Sequence, residues 1–104
     1  MKKQISQSEL TEYINQSGLH VVYGYTPICA TCALAERFLD IAMEVAPRDL
    51  IKVDLNYHEN FIETYQIKSV PTLMAFKDGE LVKTLYRFES VTNLVEFLKN
   101  IDDL

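Results

Sequence analysis

The sequence predicts an α/β fold, a three-layer α/β/α sandwich around a mixed central β-sheet of four or five strands. Two short β-prone runs are separated by an amphipathic helix, which is the pattern of a crossover between parallel strands. A hairpin signal, Asp78-Gly79, then joins two further apolar runs, and hairpin strands are antiparallel. The length of 104 residues and the hydrophobic content of 48% suit one domain, residues 1–104, with a core of its own.

The first helix and the first strand have signals at both ends. Ser6 and Glu9 have the spacing of a capping box, and apolar residues recur at helical spacing until Gly18, so a helix is predicted over about residues 7–16. Residues 19–25 are a β-prone run that ends before Pro27, which cannot continue a strand pairing. This strand leads directly to the only two cysteines of the chain.

The helix after the cysteines is amphipathic and ends at Pro47. The predicted buried face carries the apolar side chains Leu34, Phe38, Ile41, Ala42 and Val45. The opposite, exposed face carries Glu36, Arg37, Asp40 and Glu44. Residues 50–56 alternate apolar and polar side chains, which predicts a second strand. Asn56, three residues before Glu59, is placed to start a short helix that runs to about residue 65.

The last third of the chain supplies the hairpin and a closing helix. Residues 72–76 and 80–88 are its two predicted strands, and residues 92–101 have apolar side chains at helical spacing. A crossover unit followed by a hairpin gives a mixed sheet with helices on both faces.

Cys29 and Cys32 indicate a thiol–disulfide site at the start of a helix. With two residues between them, the first helical turn brings both sulfurs within bonding distance. Cys29 would lie where free N–H groups and the helix dipole favour a thiolate, so we expect its pKa to be depressed and Cys29 to be the attacking nucleophile. Cys32, one turn further along, would be less exposed and would resolve the mixed disulfide.

Two other readings of the cysteine pair remain open at this level. Two cysteines can pack as small hydrophobic side chains, and a CxxC pair can be half of a zinc site. His20 and His58 are not spaced as a second pair of ligands, and we interpret them as surface or strand-end histidines. Zinc would then require a CxxC pair from each of two chains.

Charge and composition limit the partners and the compartment. The formal net charge of −5 argues against nucleic acid or an anionic membrane as the main partner, because both attract basic surfaces. No apolar run follows the basic start Met1-Lys2-Lys3, and no stretch approaches the length of a membrane span. A protein beginning at Met1 is therefore expected in the cytoplasm, where a CxxC pair is more often catalytic, redox-sensing or metal-binding than structural.

Three motifs together resemble the thioredoxin family, and the resemblance spans nearly the whole chain. They are Cys29-Ala30-Thr31-Cys32 between strand and helix, Ser69-Val70-Pro71-Thr72 before the hairpin, and Phe76-Lys77-Asp78-Gly79-Glu80 at its turn. The resemblance implies a cis peptide between Val70 and Pro71, which places Pro71 against the cysteines. It also implies that the Val70 backbone pairs with an extended substrate segment, as in strand addition.

The sequence departs from thioredoxins beneath the cysteines. Lys52 matches the lysine that the family carries in the strand after the active-site helix, but Tyr23 stands where the family has a buried aspartate. A tyrosine with an ordinary pKa of about 10 is a poor base at neutral pH. We therefore expect Lys52 to lack its acidic partner. Lys52 would then favour the Cys32 thiolate by direct charge attraction, or Cys32 would ionise slowly and make resolution the limiting step. Alternatively, Lys52 simply extends to solvent.

The surroundings of the cysteines depart as well. Ile28 replaces the family's tryptophan, Thr31 adds a hydroxyl within reach of a sulfur, and Tyr25 either restores aromatic cover or packs at the strand end. Arg87 falls where thioredoxins have a glycine that lets a partner's backbone approach the site. The residues between the cysteines help to set the reduction potential, so the potential does not carry over from the family.

The resemblance implies a thiol–disulfide oxidoreductase that reduces protein disulfides, needs no cofactor and acts as a monomer. Protein disulfides would be its substrates, and a thioredoxin reductase or another dithiol would be its electron donor. The alternative is a binding or adaptor module with a redox-inert or redox-sensing cysteine pair, which the changes at Tyr23, Ile28 and Arg87 favour.

Overall fold

The computed structural model describes residues 4–103, so the basic start, Met1 to Lys3, and Leu104 lie outside the described part of the chain. The helices and strands follow one another in the predicted order. They are α1 (Gln7–Asn15), β1 (Leu19–Tyr25), α2 (Ala30–Val45), β2 (Leu50–Asp54), α3 (Glu59–Tyr65), β3 (Thr72–Lys77), β4 (Glu80–Leu85) and α4 (Val91–Asn100). Single 3-10 turns follow β2 at Leu55–Tyr57 and α4 at Ile101–Asp103.

The four strands form one mixed sheet in the order β2-β1-β3-β4. β1 is parallel to β2, which requires a crossover, and α2 provides it. β3 is antiparallel to both β1 and β4, and a β-bulge interrupts the β3–β4 pairing between Ala75 and Phe76. The strand that leads to the cysteines is therefore one of the two central strands, with hydrogen-bonded neighbours on both sides.

Successive residues of the central strands point to opposite faces of the sheet. Val21 and Tyr23 of β1 pack with α2 and α4 in one core cluster. Val22, between them, packs with α1 and α3 in a second cluster. Helices therefore cover both faces, and the predicted three-layer α/β/α sandwich with a mixed sheet is confirmed.

Local signals predicted the first helix correctly. The Ser6 hydroxyl accepts a 3.1 Å hydrogen bond from the Glu9 N–H, and the Glu9 carboxylate accepts a 2.9 Å bond from the Ser6 N–H. The predicted start of α3 at Asn56 was wrong. Asn56 lies in the 3-10 turn, where its N–H donates to the Asp54 carboxylate, and His58 occupies the N-cap position of α3.

The predicted buried face of α2 was also partly wrong. Leu34, Ile41 and Val45 are 52%, 49% and 58% exposed, whereas the buried side chains of this helix are Cys32, Ala35, Leu39 and Ala42. Ala35 and Ala42 on the buried face are small, so the helix can approach the sheet and α4 closely. Leu34, Ile41 and Val45 lie outside this buried face. No helix among residues 4–103 is long and apolar enough to span a membrane.

Candidate active site

The cysteine pair lies at the junction between β1 and α2, as its position in the sequence predicts. Cys29 has an extended backbone and is the N-cap of α2, and its sulfur accepts a 3.1 Å hydrogen bond from the Cys32 N–H. The two cysteines form a disulfide with their Cα atoms 5.2 Å apart. Cys29 is half-buried and Cys32 is only 3% exposed, so the outer sulfur is the one that a substrate can reach.

Two residues beside the disulfide are available to solvent and to partners. Ile28 is 97% exposed, so its apolar side chain projects from the surface next to Cys29. The Thr31 hydroxyl lies 3.3 Å from the Cys29 sulfur, within the range of a hydrogen bond to sulfur. Such a bond favours the thiolate over the thiol, because the ionised form is the stronger acceptor.

Tyr23 lies beneath the disulfide and donates a 2.6 Å hydrogen bond to the Cys32 carbonyl oxygen. Its ring stacks on Tyr25, with centroids 6.0 Å apart, and meets Phe88 edge-on at 5.8 Å. Burial, together with the negative charges of Glu36 and Asp40, raises the pKa of Tyr23 well above its ordinary range. Tyr23 therefore remains a neutral hydrogen-bond donor across the physiological pH range.

The expectation that Lys52 lacks an acidic partner was wrong. Its ammonium nitrogen is 2.8 Å from the Glu36 carboxylate and 2.8 Å from the Asp40 carboxylate, both of which belong to α2. Burial by itself would lower the pKa of Lys52, but the hydrogen bonds and charges of these two carboxylates outweigh it and raise the pKa. Lys52 is thus held between two acids and does not extend freely to solvent.

Glu36 is the site residue that sequence reasoning missed. It lines a cleft of about 140 Å³ with both cysteines, and the other lining residues are Tyr23, Tyr25, Thr26, Pro27 and Ala33. The signal was present in its spacing, because Glu36 follows Cys32 by four residues on α2 and residues four apart on a helix are neighbours. It was not predicted, because the family pattern places the carboxylate on β1.

The Val70–Pro71 peptide bond is cis and immediately precedes β3. Pro71 is buried and Val70 is half-buried. Val70 borders an apolar pocket of about 200 Å³, which also includes Leu55, Ile62 and Ile67. Thr26 lines both this pocket and the cleft at the cysteines, so the two cavities meet at one residue.

Arg87 is exposed in the segment between β4 and α4. Its long charged side chain is therefore open to solvent, at a position where the resemblance to thioredoxins implies a glycine.

The two histidines are buried, so the surface interpretation was wrong for both, whereas His20 does lie at the start of a strand, β1. His20 lies in β1 and is hydrogen-bonded at both ring nitrogens, to the Asp49 carboxylate at 2.8 Å and to the Ser17 carbonyl oxygen at 3.0 Å. His58 is 3% exposed, and neither ring nitrogen has a partner among the described residues. No group of three or more potential metal ligands occurs within residues 4–103.

Comparison with known proteins places this arrangement among the thioredoxins. The family model for thioredoxin matches residues 1–100. The chain is 36% identical over 98 residues to the thioredoxin-like protein YusE of Bacillus subtilis, covering 93% of this chain and 91% of that protein. It is 29% identical over 85 residues to a thioredoxin of Staphylococcus aureus, covering 80% and 82%. A thioredoxin structure from Plasmodium falciparum superimposes with a TM-score of 0.82 at 26% identity, covering 95% and 98% of the two chains.

Proposed function

This chain belongs to the thioredoxin family. We propose that it reduces disulfide bonds in other proteins, because its own CxxC pair lies at disulfide distance, which supports thiol–disulfide exchange. The observation that carries the proposal is the position of Cys29. Its sulfur caps α2 and accepts the N–H of Cys32, and this is where a thiolate gains most from the free donors and the dipole of a helix start. A stabilised thiolate is the nucleophile that the reaction requires.

The reaction has two exchange steps. The Cys29 thiolate attacks one sulfur of the substrate disulfide, forms a mixed disulfide, and releases the other substrate sulfur as a thiolate. Cys32 then attacks the Cys29 sulfur, which releases the second substrate thiolate and leaves the Cys29–Cys32 disulfide. Two electrons pass from the dithiol to the substrate, so the product is the oxidised protein with the disulfide that joins the pair here.

The surface around Cys29 supports a protein substrate. Ile28 offers an exposed apolar contact beside the reactive sulfur, and Tyr25 is half-buried at the cleft edge. The pocket of about 200 Å³ next to Val70 has the size and lining to receive one apolar side chain. An extended substrate segment would pair with the backbone of Val70 next to Pro71, while its neighbouring side chain fills this pocket.

The proposal also covers the cofactor, the electron donor, the compartment and the oligomeric state. No cofactor is needed, because both electrons reside on the cysteine pair. A thioredoxin reductase or another dithiol would return the oxidised protein to the dithiol form. We place the activity in the cytoplasm, where thiols are kept reduced, and we propose that the protein acts as a monomer.

Trapping of the mixed disulfide tests the proposal. With insulin as the substrate and dithiothreitol as the electron source, the wild type should reduce the insulin disulfides. For the trap, each variant is reduced, freed of dithiothreitol and then mixed with insulin. Cys32→Ser should accumulate a covalent complex, because the resolving thiol is absent and no external dithiol can replace it, and Cys29→Ser should form none. Turnover by Cys29→Ser would contradict the assigned roles.

The insulin assay and the metal content of the purified protein each have an outcome that would favour another function. A wild type that leaves insulin oxidised, while its own disulfide is readily reduced, would indicate a binding or sensing module, for which the exposed Ile28 is the supporting observation. Zinc that co-purifies with loss of free thiols would indicate a site shared by two chains. The reduction potential of the pair then decides whether the enzyme works as a reductant or as an oxidant.

A further inference from the structure

The resolving step requires a proton acceptor for Cys32. The thiolate is the nucleophile in disulfide exchange, so the Cys32 thiol must lose its proton before or during its attack on Cys29. Cys32 is only 3% exposed, so bulk water has little direct access to its sulfur. The acceptor must therefore lie in the cleft of about 140 Å³ that both cysteines line.

The tyrosines of this cleft do not suit the task. The pKa of Tyr23 and the pKa of Tyr25 are both raised, chiefly by burial and further by neighbouring carboxylates. The Tyr23 hydroxyl also donates to the Cys32 carbonyl oxygen. A neutral phenol that is already engaged as a donor is a poor base at neutral pH.

Glu36 is the one carboxylate among the residues that line the cleft. It lies one helical turn after Cys32, on the same side of α2. Glu36 also lines a second, larger cleft of about 620 Å³ together with Lys52 and residues near the chain start. A proton accepted on the cysteine side can therefore leave from the same carboxylate on the outer side.

Lys52 fixes the position of this carboxylate. Its ammonium nitrogen is 2.8 Å from the Glu36 Oε2 atom and 2.8 Å from the Asp40 Oδ1 atom. The charged and titratable groups around Glu36 are thus Lys52 from β2, Asp40 from its own helix, and Tyr23 and Tyr25 from β1. Lys52 stays protonated across the neutral range, so its ion pair holds the Glu36 Oε2 atom in place.

We propose that Glu36 accepts the Cys32 proton in the resolving step, directly or through one water molecule, and that Lys52 is its positioning residue. This rests on the proposed function, because it assigns a role within the second exchange step. The proton moves from the Cys32 sulfur to the Glu36 carboxylate, and the Cys32–Cys29 bond forms. The bond between Cys29 and the substrate sulfur breaks with its electron pair on the substrate, and Glu36 releases the proton to solvent.

The two exchange steps can be followed separately when reduced protein, in slight excess, is mixed with 5,5′-dithiobis(2-nitrobenzoate). Attack by Cys29 releases one coloured aryl thiolate, and resolution by Cys32 releases the second in a unimolecular phase. Glu36→Gln should leave the first phase unchanged and slow the second by about 100-fold at pH 7, the lower end of the effect of a positioned base. The difference should vanish as the pH approaches about 10, where a thiol ionises unaided.

Three further variants distinguish chemistry from a structural effect. Glu36→Asp should recover part of the second phase, because it keeps the carboxylate. Lys52→Met should slow only the second phase, by about tenfold, through loss of positioning. Glu44→Gln makes the same charge change at an exposed position two turns along α2, and both of its phases should match the wild type.

Two results would overturn the role of Glu36. One is a second phase in Glu36→Gln at the wild-type rate from pH 6 to pH 10. The other is a second phase that stays slow at every pH, since this would indicate displaced cysteines and not a missing base. A wild type that releases only one aryl thiolate would instead overturn the proposed function itself. Because Glu36 is present in the wild type, this result is distinguishable from a failure of the role of Glu36.

Discussion

Replacing Tyr23 by Phe removes one hydroxyl from beneath the disulfide and leaves the aromatic ring in place. The hydroxyl donates a 2.6 Å hydrogen bond to the Cys32 carbonyl oxygen, and the ring keeps its contacts with Tyr25 and Phe88. A buried hydrogen bond between neutral groups contributes about 1 kcal/mol net. The free energy of unfolding of Tyr23→Phe at pH 7 should therefore be lower than that of the wild type by this amount.

The stability difference between the wild type and Tyr23→Phe should shrink as the pH rises and disappear at about pH 11. Burial, with the charges of Glu36 and Asp40, raises the pKa of Tyr23 in the folded protein, whereas the unfolded chain titrates near its ordinary value of about 10. Because the folded pKa is the higher one, the stability that Tyr23 contributes is complete below the unfolded pKa and is lost as the pH rises above it. The loss reaches at most about 1.4 kcal/mol per pH unit, so the two proteins should be equally stable at about pH 11.

Urea unfolding of the oxidised proteins, followed by circular dichroism from pH 7 to pH 11, measures both effects. Tyr57→Phe is the matched control, because that ring is 66% exposed and loss of its hydroxyl should change the stability at pH 7 by less than about 0.5 kcal/mol. A stability difference between wild type and Tyr23→Phe that is the same at pH 7 and at pH 11 would refute the argument that the fold keeps Tyr23 protonated.

Two further substitutions test the geometry around the cysteines. Gly24→Ala would place a Cβ 2.8 Å from side-chain atoms of both Leu55 and Thr72, so it should lower the free energy of unfolding by about 1–3 kcal/mol; in a Thr72→Ser background, which lacks one of those atoms, chemical denaturation should show a smaller loss, and an equal loss would contradict the proposed clash. Thr31→Val should slow alkylation of reduced Cys29 at pH 7 by about threefold, because the hydroxyl 3.3 Å from the sulfur stabilises the thiolate. Thr31→Ser should retain the wild-type rate, and a rate equally slow in both variants would contradict the role of the hydroxyl.

The parts of the fold that the sequence predicted well depend on local signals. The capping box at Ser6, the helix end at Pro47 and the hairpin turn at Asp78-Gly79 each act over a few residues, so their effects can be read from spacing alone. The bounds of β1 were predicted correctly for the same reason. β4 ends at Leu85 and not at residue 88. The predicted strand was too long because no proline or glycine marks the point where pairing with β3 stops.

The errors concern contacts between residues distant in the sequence. Periodicity shows that α2 has an apolar side, but whether Leu34 and Ile41 or Ala35 and Leu39 face the sheet depends on how closely the helix can approach it. The burial of His20 likewise depends on Asp49, which comes from the loop before β2.

The candidate site shows the same division. Cys29 and Cys32 were placed correctly because their spacing and the helix that follows define their geometry. The partners of Lys52 could not be found by comparing one strand position with a family pattern, since its two carboxylates come from α2. The carboxylates lie on a different element from the one that the family pattern indicates, and only the packing of α2 against β2 reveals them.

A carboxylate on α2, and not on β1, avoids the cost of a buried charge. A carboxylate in the buried position of Tyr23 would have to be desolvated beneath the disulfide, which costs free energy unless it is fully paired. Tyr23 fills that position as a neutral donor, and the Glu36 carboxylate lies at the cleft edge, where Lys52 and solvent both reach it. The Glu36 carboxylate lines both clefts, so in the proposed role it would release the Cys32 proton on the outer side. The arrangement therefore places no carboxylate beneath the disulfide and leaves one at the edge of the cleft that Cys32 lines, where the proposed proton transfer requires it.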